Sequence, residues 1–223
     1  MKGKKALANI SATRTLASLI GVFGGLMSLE HGYLETLQGN VAPTSIIIDA
    51  IGHQANSMFQ GSEPALTLIP NYFVTGILAI IVGLLVAIWA AAFIHRNHGV
   101  AILMLFSFIL FLVGGGLAPL IIEIIAGAIA TRIGKTLTWW RKHLSISSRH
   151  FFAKLWPWPF IVFFLPSLIN LQIAIFGNFF GVNNPIFSAI LIPLIFGILL
   201  LSIVSGFAYD IQHTDRGKHK SHR

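Results

Sequence analysis

Long apolar runs alternate with short polar segments along this chain. The runs at about 14–35, 70–94, 156–180 and 186–209 each meet the roughly 20 residues that a helix needs to cross a bilayer. A further run, 100–131, is longer than one span requires. It is broken at its middle by Gly114-Gly115-Gly116-Leu117-Ala118-Pro119, which contains the residues least able to continue a helix. Each leg of about 15 residues would reach roughly 22 Å as a helix, short of a hydrocarbon core of about 30 Å. The pattern predicts an all-α, multi-pass integral membrane helical bundle built from three hairpins. The 100–131 hairpin is either re-entrant, with the glycines at its tip, or a pair of minimal spans. The first choice gives four full spans plus a broken hairpin, the second six spans.

Two of these runs carry stripes of small residues. Ser18, Gly21, Gly25, Ser28 and Gly32 recur at spacings of three and four on the first, and Gly76, Ala79, Gly83, Ala87 and Ala90 do so on the second. Small stripes let membrane helices approach to backbone contact, so these faces are predicted to meet, with Gly21, Gly25, Gly76 and Gly83 as packing positions. Between the two runs, segment 36–69 is expected to be an ordered external acidic loop with one short helix at about Ile46–Ile51. Segment 133–155 sets Ile133, Leu137, Trp140, Leu144 and Phe151 at near-helical spacing among Lys135, Arg141, Lys142 and Arg149. That mixture predicts an interfacial segment held on anionic lipid headgroups. The tail, 210–223, is short, polar and basic and is expected to be disordered.

Composition agrees with a membrane setting. Of 223 residues, 55% are hydrophobic and 10% charged, and the mean hydropathy is +0.80, which excludes an ordinary soluble domain. A net charge of +8 raises the question of nucleic acid, and the placement of that charge answers it. All fifteen Lys and Arg lie at 2–14, at Arg96, at 132–154 and at 216–223, beside the ends of the apolar runs. Cationic residues at such ends stay on the cytoplasmic side, so both termini are expected inside a plasma membrane, a prokaryotic inner membrane by this reading. The bilayer is the expected partner, with a second copy or another membrane protein possible in principle. The first run follows Lys2, Lys4 and Lys5 with no small-x-small cleavage site after Leu29, and is read as a retained helix. The absence of Cys excludes disulfides and thiolate metal sites.

Few polar groups could carry chemistry. Glu123 is embedded in an apolar leg and shares a helical face with Gly116, Gly127 and Ala130. A carboxyl there must face protein or water, which suits a proton relay, a cation-coupling site or a packing hydrogen bond. A second cluster, Ser28, His31 and Glu35, ends the first run, with Glu63 in the loop beyond it. His31 and Glu35, four apart, are expected to turn toward the second run and to hydrogen-bond each other. Alternatively they share a metal ion with Asp49, His53 and Glu63. His213, His219 and His222 read as a solvated tail. No nucleotide-binding glycine pattern, His-Glu-x-x-His or nucleophile elbow occurs, so no cofactor and no enzymatic activity are expected. The first expectation is small-solute or ion transport, proton-linked, or a channel-like role, from a broken span with an embedded carboxyl. The second is a non-enzymatic accessory, sensor or assembly protein. The third, resting on His31, Glu35, Asp49 and Glu63, is an outward-facing metal-dependent enzyme.

Overall fold

A computed structural model describes residues 11–49, 64–176, 180 and 185–221. They form α1 (Ala12–Leu37), β1 (Ile47–Asp49), β2 (Pro64–Leu66), α2 (Tyr72–Ala92), α3 (Gly99–Leu112) and α4 (Leu117–Ala130). There follow α5 (Thr138–His143), α6 (Ile146–Leu155), α7 (Trp158–Phe176) and α8 (Pro185–Ser221). The chain is mostly helical, and three helices are long and apolar enough to cross a membrane: Ala12–Leu37, Tyr72–Ala92 and Ala189–Asp215 within α8. α6 and the first part of α7 pass the same test only as a pair, bent by 53°. α3 and α4, of 14 residues each, reach about 21 Å and fall short of a bilayer core alone.

The chain divides into two compact units. The first comprises Ala17–Thr131 and Leu171–Pro185. Here α1 lies on α2 through bare backbone. A Cβ on Gly25 would stand 2.7 Å from the carbonyl oxygen of Gly83, and one on Gly32 would stand 2.6 Å from that of Gly76. Only glycine permits such approach, and lipid supplies no competing hydrophobic drive, so van der Waals contact along this seam holds the pair. Asn71 starts α2 by accepting a hydrogen bond from the Val74 amide at 3.0 Å. At its other end the Trp89 indole donates to the Gly99 carbonyl at 2.9 Å and fixes the turn into α3.

Between α3 and α4 the helical ladder stops. Gly114 and Gly116 take positive φ of 95° and 84°, conformations that side chains with a Cβ rarely adopt. Backbone groups freed by this break are met by the end of β2 and the segment after it. The Gly114 amide donates to the Leu66 carbonyl at 2.9 Å, and the Leu68 amide donates to the Leu112 carbonyl at 3.0 Å. β1 and β2 pair antiparallel, with Ile48 opposite Ala65. The short helix expected at Ile46–Ile51 is therefore corrected to a strand over Ile47–Asp49, while residues 50 and 51 lie outside the described residues. Consecutive β-branched isoleucines favour extended backbone once an edge such as β2 is there to pair with.

The second unit comprises Met1–Leu16, Arg132–Asn170 and Ile186–Arg223. Asp210 of α8 caps the start of α1: its carboxylate accepts from the Ala12 amide at 2.8 Å, the Thr13 amide at 2.9 Å and the Thr13 hydroxyl at 2.7 Å. A carboxylate placed at a helix N-terminus meets both free amides and the positive end of the helix dipole. Arg141 of α5 forms a two-point pair with Asp215 at 2.7 and 3.0 Å, and Trp140 packs edge-on against Phe207 with ring centroids 5.3 Å apart. The expectation of a disordered tail is overturned as far as Ser221, because α8 continues helical through this anchored stretch. Segment 133–155, expected from sequence to be interfacial, carries two short helices, α5 and α6. Ser145 caps the second by accepting from the Ser148 amide at 3.1 Å.

The glycine seam predicts a selective cost. Gly76→Ala would drive a methyl into the Gly32 carbonyl and to 2.8 Å from the Thr36 methyl, and should destabilise the fold by about 1–3 kcal/mol. Gly197→Ala, where nothing lies within 4 Å, should not. Thermal unfolding of the two variants in detergent checks this; equal midpoints would refute it.

Candidate functional site

On α1, positions 24, 28, 31 and 35 are separated by four, three and four residues, which puts them on one face of a helix. Gly25, Gly32 and Thr36 face α2. The line 24–28–31–35 is rotated from them and faces the α3–α4 break instead. Each glycine of the triplet receives one side chain from α1. The Glu35 carboxyl lies against Gly114, where a Cβ would stand 2.5 and 2.6 Å from its two oxygens. The Ser28 hydroxyl donates to the Gly115 carbonyl at 3.0 Å. The His31 imidazole lies against Gly116, where a Cβ would stand 2.9 Å from Nε2. At the lower end of the line Glu123 of α4 packs over Gly24, where a Cβ would collide with Oε1 and stand 3.1 Å from Cδ. It also lies over Gly21, where a Cβ would stand 3.4 Å from Oε2.

All four polar groups are sealed from solvent: Ser28, Glu35 and Glu123 are 0% exposed and His31 2%. Neither oxygen of Glu35 has a hydrogen-bond partner among the described residues, and the Glu123 carboxyl has the Gly25 backbone amide beside it. An ionised carboxylate so placed is costly, because too little replaces the water it gave up. No protein-family model, curated protein or solved structure matches this chain.

Two expectations need correction. His31 and Glu35 do not turn toward α2, because Gly32 and Thr36 occupy that face and a one-residue step rotates a helix by about 100°. Nor does a His31–Glu35 hydrogen bond form, since both Glu35 oxygens lie without a partner. Glu63 and His53 lie outside the described residues, as does the side chain of Asp49. Among the described residues no three of His, Cys, Asp and Glu gather into a group able to hold a metal ion.

Sequence reasoning missed a clamp beside the site. The Thr67 and Thr75 hydroxyls are 2.6 Å apart, and Thr75 donates to the Val113 carbonyl at 2.8 Å. It therefore ties the segment after β2 and the first turn of α2 to the glycine break. The available signal was Thr75 itself, a polar residue beside Gly76 and Ala79 on the small face of α2. Gly24 was missed for a similar reason. It lies next to the Gly21–Gly25 stripe and belongs to a different face.

The contact between Gly24 and Glu123 predicts coupling. Gly24→Ala should destabilise the protein by about 1–3 kcal/mol, and Gly24→Ala in a Glu123→Ala background should cost clearly less, because the colliding carboxyl is gone. A double-mutant cycle of thermal stability in detergent measures this; strict additivity would show that the two residues do not touch.

Proposed function

We propose that this chain is a non-enzymatic multi-pass membrane protein that moves a small ion or solute, proton-linked, in a channel-like or transporter role. The observation that carries the reading is the pair of sealed carboxyls, Glu35 of α1 set against the glycine break and Glu123 of α4 set against α1. Carboxyls are expensive in apolar surroundings and are found where ions or protons pass or bind. Irregular backbone at membrane depth suits a lined binding site rather than a lipid face.

In this reading the four basic segments share the cytoplasmic side of a plasma membrane, both termini are inside, and the chain is threaded as three hairpins. α3 and α4 form the middle hairpin, with its glycine tip turned toward the β-hairpin on the outer side. α5 and α6 lie on the inner headgroup layer. Exposed Trp139, Ile146 and Phe151 accompany Lys142, Arg149 and Lys154 there, a pairing of apolar and cationic groups suited to anionic lipid. A sensor or assembly role is the second reading. The Ser28–Gly115 and Thr75–Val113 hydrogen bonds favour it, because they hold the break in one geometry.

Two measurements test these readings. With the full chain in liposomes under an imposed potential, proton, sodium and potassium fluxes should exceed those of protein-free vesicles and fall to background in Glu123→Gln. Normal flux in that variant, or none in the parent, would refute the transport reading. On this Cys-free background, an impermeant thiol reagent should label Ser45→Cys on intact cells and Ser147→Cys only after permeabilisation. Labelling of both from outside would overturn the threading.

A further inference from the structure

We infer that the line Glu35, His31, Ser28 and Glu123 is a proton wire, carrying protons and no metal cation between the β-hairpin end of α1 and its middle. The inference rests on the ion-transport reading above and narrows its cargo.

Three observations carry it. The first is order. Gly24, under Glu123, and Glu35 are eleven residues apart on one face, or about 16 Å along the helix axis. Ser28 and His31 divide that length into steps of about 4.5–6 Å, each within reach of a side chain aided by one water. The second is chemistry. Carboxyl, imidazole, hydroxyl and carboxyl can all accept a proton on one atom and release one, whereas an imidazole is a poor ligand for the alkali cations, which prefer oxygen. The third is room. A methyl on Gly24 would collide with the Glu123 carboxyl, and one on Gly114 would press to 2.5 Å from that of Glu35. Glycine backbone therefore closes directly on both acids, and among the described residues no three of His, Cys, Asp and Glu gather there to hold a metal ion.

The transfer balances without a co-reactant. Once Glu123 has released its proton, Glu35, protonated, gives its proton to His31 and becomes a carboxylate. The imidazolium passes one on to the Ser28 oxygen, which releases its own hydroxyl proton to the Glu123 carboxylate. Ser28 must turn from the Gly115 carbonyl to do so. Glu123 ends protonated and Glu35 ionised, and uptake at Glu35, release from Glu123 and return of His31 and Ser28 to their first orientations restore the starting state. The ionisable groups on the elements around the line are few. On α1 they are Arg14, in its first turn, Glu30, on another face, and Tyr33, which is exposed; on α2 there is Tyr72, packed against Ile48 and Ala65; α3 has none, and α4 has Glu123 alone.

The test reads protons directly. Purified full-length protein is diluted into D2O, and the infrared C=O stretch of protonated carboxyls is followed, with bands assigned by their loss in Glu35→Gln and Glu123→Gln. The Glu123 band should exchange far faster than the α4 amides, and Ser28→Ala should slow it by about a hundredfold, as loss of a positioned proton-transfer group does. His31→Gln, checked for helix content and monodispersity, should slow it similarly and serves if Ser28→Ala does not fold. Exchange no faster than the α4 amides in the parent, or unaltered exchange in both variants, would overturn the wire. So would a Glu123 band that disappears when sodium replaces choline at fixed pH. Liposome flux separates the two readings. Flux with exchange unaltered in both variants leaves transport standing and removes the wire, and slowed exchange without flux does the reverse.

Discussion

Backbone can approach backbone only where a side chain stops at hydrogen, and the larger unit of this chain is built on that permission. Gly25 against Gly83 and Gly32 against Gly76 bring α1 and α2 to within carbonyl contact. The same permission lets the α3–α4 break receive α1 side chains at Gly114 and Gly116. In lipid no hydrophobic gain separates a packed helix pair from two solvated ones, so these close contacts and a few buried hydrogen bonds must hold the unit.

A break in a helical ladder frees amides and carbonyls that must find other partners. Here β2 and the segment after it meet part of that need, through Leu66 to Gly114 and Leu68 to Leu112. Ser28 and Thr75 hydroxyls meet the carbonyls of Gly115 and Val113. The loop between α1 and α2 is thus part of the core arrangement, since its strand completes the hydrogen bonding of a distant helix pair. The carboxyls of Glu35 and Glu123 stand out against this background because they are acids sealed from solvent with no cation beside them among the described residues. That contrast makes them the functional candidates.

The second unit solves a different problem with charge. Asp210 meets the open amides of α1, and Asp215 pairs with Arg141. Two acidic residues in an otherwise basic tail sequence thereby hold a helix where composition alone argues for disorder. Tertiary partners overrode a local bias that carried little weight of its own.

The chain by itself determined its class. Apolar runs of span length, basic residues confined to their ends and the Gly114-Gly115-Gly116 interruption are local facts, and hydrophobic transfer acts on them without regard to partners. The small stripes were legible too, because helical period converts spacing into faces. What only the tertiary structure decided was which face met which neighbour. Positions 31 and 32 differ by one residue and by about 100° of rotation, and that step sends Gly32 to α2 and His31 to the glycine break. The strand at Ile47–Asp49 likewise needed β2 as a partner, and Glu123 needed Gly24, a residue about a hundred positions away in sequence. Such pairings depend on distant groups competing for the same space, which no local pattern encodes.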